Sequence, residues 1–402
     1  MFGLNYFIQY NLRPIQLMKK RIYSLQHGNL PSEVPIISND ELADLSRAMN
    51  KMIRDIKSLL GQKQQLLLDV SHELRSPLTR MRLLIEMIPE HKNQKKLIYF
   101  DSASTTQKPN SVINKITEFY SYYNANIHRG TYAIAEKSTF EYESVREETA
   151  KFINSKSNEI IFTKGTTESI NLIAYSLSDT FKEGDEILIS EMEHHSNIIP
   201  WQMLIAKKNI KLKYIPVNDN GDLDISQINK LINNKTKLIS ITHMSNVIGT
   251  INPIKKIIKI AKKHNILVLI DAAQSISHIK IDVQKLNCDF LVFSSHKMMG
   301  PTGLGVLYIN ERKIHEIEPF LRGGHMIKEV KKNTSIWNDP PWKFEAGTSN
   351  IAQVIAFGEA IKYINSLGLQ KINNHEQILL KYFLEQLKVF DTIKIYGHNN
   401  DA

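Results

Sequence analysis

Between Ile160 and Phe293 the chain repeats one pattern, a short apolar run followed by a helical segment. The runs are Ile160-Ile161-Phe162, Glu186-Ile187-Leu188-Ile189, Leu212-Lys213-Tyr214-Ile215, Leu238-Ile239-Ser240-Ile241, Leu267-Val268-Leu269-Ile270 and Phe290-Leu291-Val292-Phe293. Most are apolar throughout instead of alternating with polar residues, which is the pattern of strands buried on both faces. The segments between them read as helices, the usual crossovers between parallel strands. An α/β fold follows, a mostly parallel sheet covered on both faces by helices. No internal repeat is visible.

The front of the chain has a different texture. From Leu12 to Glu90 the apolar period is helical and strand signals are almost absent. A first helix holds Ile15, Leu17, Ile22 and Leu25 and breaks at Gly28-Asn29. An extended connector passes through Pro31 and Pro35. A second helix starts after Asn39-Asp40-Glu41, acids suited to the positive end of a helix. Its apolar positions Leu42, Leu45, Met49, Met52, Ile53, Ile56, Leu59 and Leu60 fit a coiled-coil-like seam. The polar and basic stretch from His91 to Leu97 marks the border between the two textures.

The 402 residues suffice for two or three domains, and the 42% hydrophobic content is that of a globular protein. The net charge of +10 comes largely from lysines scattered over amphipathic helices, as in Lys255 to Lys263. This reads as solvated helix surface and not as a nucleic-acid site. The single cysteine, Cys288, excludes an internal disulfide and fits a reducing, cytoplasmic compartment. No metal-ligand pattern stands out. Met1 to Tyr10 is too short to span a bilayer, so membrane attachment is expected only with an anchor upstream.

His72 lies in Asp69-Val70-Ser71-His72-Glu73-Leu74-Arg75-Ser76-Pro77-Leu78-Thr79-Arg80, on a helix whose core face is Leu66, Leu67, Val70, Leu74, Leu78 and Met81. It falls on the outward side with Glu73 beside it. An exposed imidazole next to a carboxylate can accept a phosphoryl group on a ring nitrogen. Pro77 lets the helix bend just beyond. The stretch resembles the phospho-acceptor box of sensor histidine kinases, and the helices before it resemble the HAMP linker of those receptors. The resemblance implies a HAMP-like segment at residues 1–60 and a phospho-acceptor fragment at 61–96. It departs from the family in lacking an ATP-binding kinase domain.

Two residues of the rear part carry distinctive chemistry. Lys297, in Phe293-Ser294-Ser295-His296-Lys297, closes a strand, and Asp271 closes another. A lysine there can hold an aldehyde cofactor as a Schiff base, and an aspartate can keep a pyridinium nitrogen protonated. Gly165-Thr166-Thr167-Glu168 joins a strand to a helix, whose free N–H groups and partial positive charge suit a phosphate. Ser245-Asn246-Val247-Ile248-Gly249 ends a further strand, where ligands of open parallel sheets gather.

From Ile98-Tyr99-Phe100-Asp101-Ser102-Ala103-Ser104-Thr105-Thr106 onward, the sequence resembles class V aminotransferase-fold enzymes, cysteine desulfurases of the SufS type above all. The resemblance implies a fold-type-I, three-layer domain over residues 97–402 with an incomplete small domain, binding pyridoxal 5'-phosphate. Lys297 would be the covalent anchor and Asp271 the pyridinium partner. His194, in Met192-Glu193-His194-His195, would stack on the ring and relay protons. Gln274 would face the cofactor, and Asn246 would donate near its phenolic oxygen or the substrate. Thr166, Thr167, Ser294 and His296 would hold the phosphate. Thr348, in Phe344-Glu345-Ala346-Gly347-Thr348, would reach the phosphate of the opposite subunit, which implies a homodimer. Asn126-Ile127-His128-Arg129-Gly130 matches the substrate side, without a step for His128.

The reaction implied is conversion of L-cysteine to alanine, with the sulfur passed to a Suf-type acceptor for iron–sulfur clusters. The family's nucleophilic cysteine and carboxylate-clamping arginine lie downstream of the point matching Ile395-Tyr396-Gly397, beyond Ala402. The expectation is therefore a desulfurase that is inactive as written. Cys288 enters a buried strand and is expected to be a core residue. The alternative is a sensor histidine kinase fragment that dimerises through its helices. The expected origin is a reading frame joining two broken genes.

Overall fold

The computed structural model of this chain describes residues 98–390 throughout, and ahead of them 15–17, 32–36 and 43–58, with a few isolated positions besides. Its contacts divide into two units, Met1–Tyr99 and Phe100–Ala402. His72 and the expected phospho-acceptor helix at 61–96 lie outside the described residues, as do Leu42, Leu59 and Leu60 of the seam.

In the first unit residues 43–58 are helical. The connector lies extended against this helix because Asn50 satisfies both backbone groups of Val34. The Val34 N–H donates to Asn50 Oδ1 at 2.7 Å, and Asn50 Nδ2 donates to the Val34 carbonyl at 2.8 Å. Val34, Met49 and Ile53 form a small buried cluster with Leu17 against it. Of the remaining seam positions, Leu45 and Met52 are exposed.

The second unit is built on a seven-stranded sheet. Its strands are β1 (Ile160–Thr163), β2 (Glu186–Ser190), β3 (Lys211–Ile215), β4 (Thr236–Thr242), β5 (Leu267–Asp271), β6 (Phe290–Ser294) and β7 (Gly305–Ile309). The spatial order is β1-β7-β6-β5-β4-β2-β3. All six strands expected from the sequence are present. β7 is an addition: it runs antiparallel to both β6 and β1 and separates them, while β6, β5, β4, β2 and β3 are mutually parallel.

Seven long helices accompany the sheet: α1 (Asn110–Glu118), α2 (Ala133–Ile153), α3 (Thr166–Leu177), α4 (Ile199–Lys208), α5 (Ile254–Lys263), α6 (Ile351–Leu367) and α7 (Leu369–Leu387). The pleat sends successive strand residues to opposite faces, and both faces are covered. Ile160, Phe162, Ile241, Ile270, Leu291 and Phe293 pack with Tyr142 of α2, Ile257 of α5 and Phe357 of α6. Ile161, Ile189, Leu269, Phe290 and Val292 pack with Ile173 of α3 and with Trp201 and Leu204 of α4. That two-sided burial is why these strands read as unbroken apolar runs.

α5 shows how the lysine-rich helices fit this scheme. Ile254, Ile257, Ile258 and Ala261 are buried, whereas Lys255, Lys256, Lys259 and Lys263 are exposed. Burying each isoleucine contributes roughly 1.5–3 kcal/mol. The lysines are spread over the solvent face. β7 depends on a close approach of two glycines. A Cβ on Gly305 would lie 2.4 Å from the Cα of Gly165, so only bare backbone fits there. Near the end of the chain α7 buries none of its residues, and Ile378, Leu379, Tyr382 and Phe383 are exposed.

Candidate active site

The residues singled out by sequence gather at the C-terminal ends of β5 and β6 and the start of α3. Asp271 is the last residue of β5 and is 4% exposed. Its Oδ1 accepts the Ala273 N–H at 2.9 Å. Burial pushes its carboxyl up to about 6, opposed by the Ala273 N–H and by the Lys297 ammonium. Lys297 stands slightly beyond its expected place. β6 stops at Ser294, and Ser295–Lys297 form a 3₁₀ turn. The strand ends there because Ser295 turns back to the next strand: its N–H donates to the Leu304 carbonyl at 3.0 Å. Lys297 is half-buried, and burial lowers the proton affinity of its amine while Asp271 raises it. Among the described residues its Nζ makes no hydrogen bond or ion pair.

The lysine's turn is fastened from outside. Four donors converge on the carbonyl of His296: the Thr106 N–H at 3.0 Å, Thr106 Oγ1 at 3.0 Å, Thr105 Oγ1 at 3.2 Å and Lys108 Nζ at 3.2 Å. The His296 ring has its proton affinity lowered by burial and then by Lys297 and Lys108. Gln274 joins the same fastening, its Nε2 donating to the Ala103 carbonyl at 2.8 Å. Sequence reasoning named Gln274 and His296 but missed Thr105, Thr106 and Lys108. Thr105 and Thr106 close the first stretch of the resemblance, which was the available signal for them, and Lys108 follows it.

At the start of α3 the Thr166 N–H donates to Ser294 Oγ at 2.8 Å, and the two hydroxyls are also 2.8 Å apart. Thr166 and Ser294 are therefore held together. The Thr167 hydroxyl is 2.7 Å from Ser196 Oγ, which ties the helix to the loop of His194. The Ser196 N–H donates to His194 Nδ1 at 3.2 Å. Nδ1 is thus an acceptor, so the neutral ring carries its proton on Nε2. Burial and then the Lys297 ammonium lower the proton affinity of His194.

Two expected residues stand further out. Asn246 is exposed on the loop beyond the end of β4, a loop closed by the Ser245 N–H donating to the Thr250 carbonyl at 3.0 Å. Thr348 is exposed beside a cavity of about 160 Å³ lined also by Phe162, Thr163, Glu168 and Phe344. Its loop is pinned by Glu345, which meets Arg146 Nη1 at 2.7 Å and accepts the Phe162 N–H at 2.8 Å, all buried. A wider cleft of about 1060 Å³, lined by Lys151, His278 and Lys362 among others, contains none of the expected site residues. His128 pairs with Glu143 at 2.8 Å and stacks on His325 with centroids 4.8 Å apart. Cys288 is fully buried just ahead of β6. Burial, then Asp289, pushes its thiol up to about 12. Among the described residues no three His, Cys, Asp or Glu side chains form a group able to hold a metal.

Comparison with known proteins decides the family. Residues 98–402 match the class-V aminotransferase family. The chain belongs to that family. Among class-V relatives, a cysteine desulfurase of Wigglesworthia glossinidia brevipalpis is 46% identical over 325 residues, 80% of this chain and 79% of that protein. The apo structure of a cysteine desulfurase from Thermococcus onnurineus NA1 superposes with a TM-score of 0.73 at 42% identity, over 75% of this chain and 76% of the other. A further structure, SspA in complex with cysteine, gives a TM-score of 0.59 at 29% identity, over 66% of this chain and 72% of that one. The sheet and its covering helices are the mostly parallel architecture of that enzyme family. Ahead of it, residues 10–58 match the HAMP domain and residues 62–119 the His Kinase A phospho-acceptor domain. The latter match overlaps the class-V match over 98–119, where α1 packs against α6 of the second unit.

Proposed function

We propose that this chain is a pyridoxal-phosphate-binding cysteine desulfurase of the SufS type, with residues 97–402 as its class-V domain. The observation that carries the reading is the Lys297 amine, free of other bonds in the turn after β6 and near enough to the buried Asp271 at the end of β5 for their charges to act on each other. The residues present fit the cofactor. Lys297 supplies an uncommitted amine, Asp271 a buried acid, and Thr166 and Thr167 at the start of α3, Ser294 at the end of β6 and His296 in the turn beyond it donors for the phosphate.

When bound, pyridoxal phosphate supplies an electrophilic aldehyde and a ring that withdraws electrons from the substrate. Lys297 would be the covalent anchor, and the burial that lowers the proton affinity of its amine favours the unprotonated Nζ that an aldehyde requires. Asp271 pairs with the ring nitrogen. His194 would stack on the ring, its Nε2–H able to donate, and Gln274 and Asn246 would lie toward the cofactor and the substrate. Thr348 would reach the phosphate of a second copy, making the site that of a homodimer. The substrate is L-cysteine, the amino acid held by the related SspA structure. Cys288 is not the sulfur acceptor, because a fully buried thiol with a raised pKa is neither exposed nor ionised. Without another thiol the 402 residues bind cofactor but do not pass sulfur on to a Suf-type acceptor. A reducing cytoplasm suits the single free thiol. No helix among the described residues is long and apolar enough to cross a membrane.

Addition of pyridoxal phosphate to the purified chain should give an absorption band at the visible edge, and borohydride should then fix the cofactor to Lys297. Peptide mapping that finds the label on another lysine overturns the reading. Cys288→Ser should leave uptake unchanged.

The matches at 10–58 and 62–119 favour a second role for the front, as a HAMP linker at 1–60 and a phospho-acceptor fragment at 61–96 bearing His72. Acid-labile label on His72 after incubation with an intact histidine kinase would support it.

A further inference from the structure

Glu193 is a buried acid that the reading above leaves without a task. It is 8% exposed and belongs to a closed set of polar groups between the exit of β2 and the end of β4. Its Oε1 accepts the Thr242 N–H at 2.9 Å and the Ser190 hydroxyl, and its Oε2 accepts Asn197 Nδ2 at 2.6 Å. The orientation of Asn197 is fixed by Trp201, whose indole Nε1 donates to Asn197 Oδ1 at 3.0 Å. An indole N–H can only donate, so the amide oxygen must face it and the NH₂ must face Glu193. Ser240 Oγ, on β4, donates to that same Oδ1. Ser190, Asn197 and Ser240 are fully buried. Glu193 is thus an acceptor for two donors that cannot reverse.

Two neighbours give this arrangement its meaning. Thr242, which holds Glu193, stands in register with Asp271 across the β4–β5 pair. His194 is the residue after Glu193, and its loop closes through Asn197, whose N–H donates to the His194 carbonyl at 2.7 Å. The loop bearing the ring is therefore bolted to the strand beside the acid. We propose that Glu193 is a positioning residue, fixing the His194 loop to the end of β4 so that the His194 ring is set relative to Asp271 before any ligand arrives. This rests on the cofactor reading given above.

The role makes a prediction that a merely structural acid would not. Glu193→Gln exchanges one oxygen for an NH₂, which must face a fixed donor, so one bond is lost without a change of size. If Glu193 acts through His194, its effect on cofactor affinity disappears once the ring is gone. The experiment is a double-mutant cycle with Glu193→Gln, His194→Ala and the pair, reading the dissociation constant for pyridoxal phosphate and the thermal midpoint. In the parent background Glu193→Gln should weaken binding roughly tenfold, and in the His194→Ala background less than about twofold. Equal losses in both backgrounds, or no loss in the parent, overturn the role. Ser190→Ala removes one bond of the same carboxyl without reversing a donor, and it should show the same dependence on His194 if Glu193→Gln does not fold. A parent chain that takes up no cofactor would instead overturn the functional reading, and this role with it.

Discussion

Asp271 was legible from its neighbours in sequence, but its cost is legible only from its burial. Its carboxyl is raised from an ordinary 3.8 to about 6 by desolvation, and Glu193 is raised from 4.5 to about 7 for the same reason. The folded chain therefore binds these protons more tightly than the unfolded chain does, and without cofactor the second unit loses stability as pH rises through about 4 to 7. Asp271→Asn, which cannot ionise, should flatten that decline by up to about 1.4 kcal/mol per pH unit. Urea unfolding followed by tryptophan fluorescence checks it, since Trp201, Trp337 and Trp342, the chain's three tryptophans, all lie in that unit. An unchanged slope in the variant would show that Asp271 is better solvated than its burial indicates. Lys297, Asp271 and Thr166 could be named in advance because strand ends and helix starts follow from local pattern, whereas Ser294 was named through the family resemblance. Glu193, Lys108 and Thr105 could not, because their partners lie on segments brought near only by the fold.

At the scale of elements the six buried strands declared themselves through uninterrupted apolar runs, whereas β7 did not. Val306 to Ile309 is an apolar run of the same kind, lying just past Gly303 and Gly305. Its antiparallel place between β6 and β1 is set by long-range pairing that no periodicity encodes. The Gly305–Gly165 contact gives a direct test. Gly305→Ala places a methyl group against the Gly165 backbone and must push α3's first turn away from Ser294. Cofactor affinity should fall by at least about tenfold, with a destabilisation of roughly 1–3 kcal/mol, measured by fluorescence titration and urea unfolding. Ser295→Ala is a useful contrast, since Ser295 touches the turn but not the glycine pair. Wild-type affinity in Gly305→Ala would mean that the helix start is not where the phosphate is held.

At the scale of the whole molecule, the contacts fall into two units, and every residue of the proposed cofactor site lies in the second. A chain begun at Ile98 should accordingly take up pyridoxal phosphate with an affinity within about twofold of the full chain, by the same titration. A large loss would show that the front part shapes the site. The change of texture near His91 made this division readable, because a run of helical period alone gives way there to alternating strands and helices. The position of β7 also governs the order in which the sheet can be assembled. β1 leaves the ribosome first of the seven strands, yet its sheet neighbour is β7, synthesised roughly 140 residues later. Until then β1 has an unpaired apolar edge. Long-range closure of this kind is slow, so a nascent chain that pauses before Ile309 presents a sticky strand to its surroundings and invites chaperone capture.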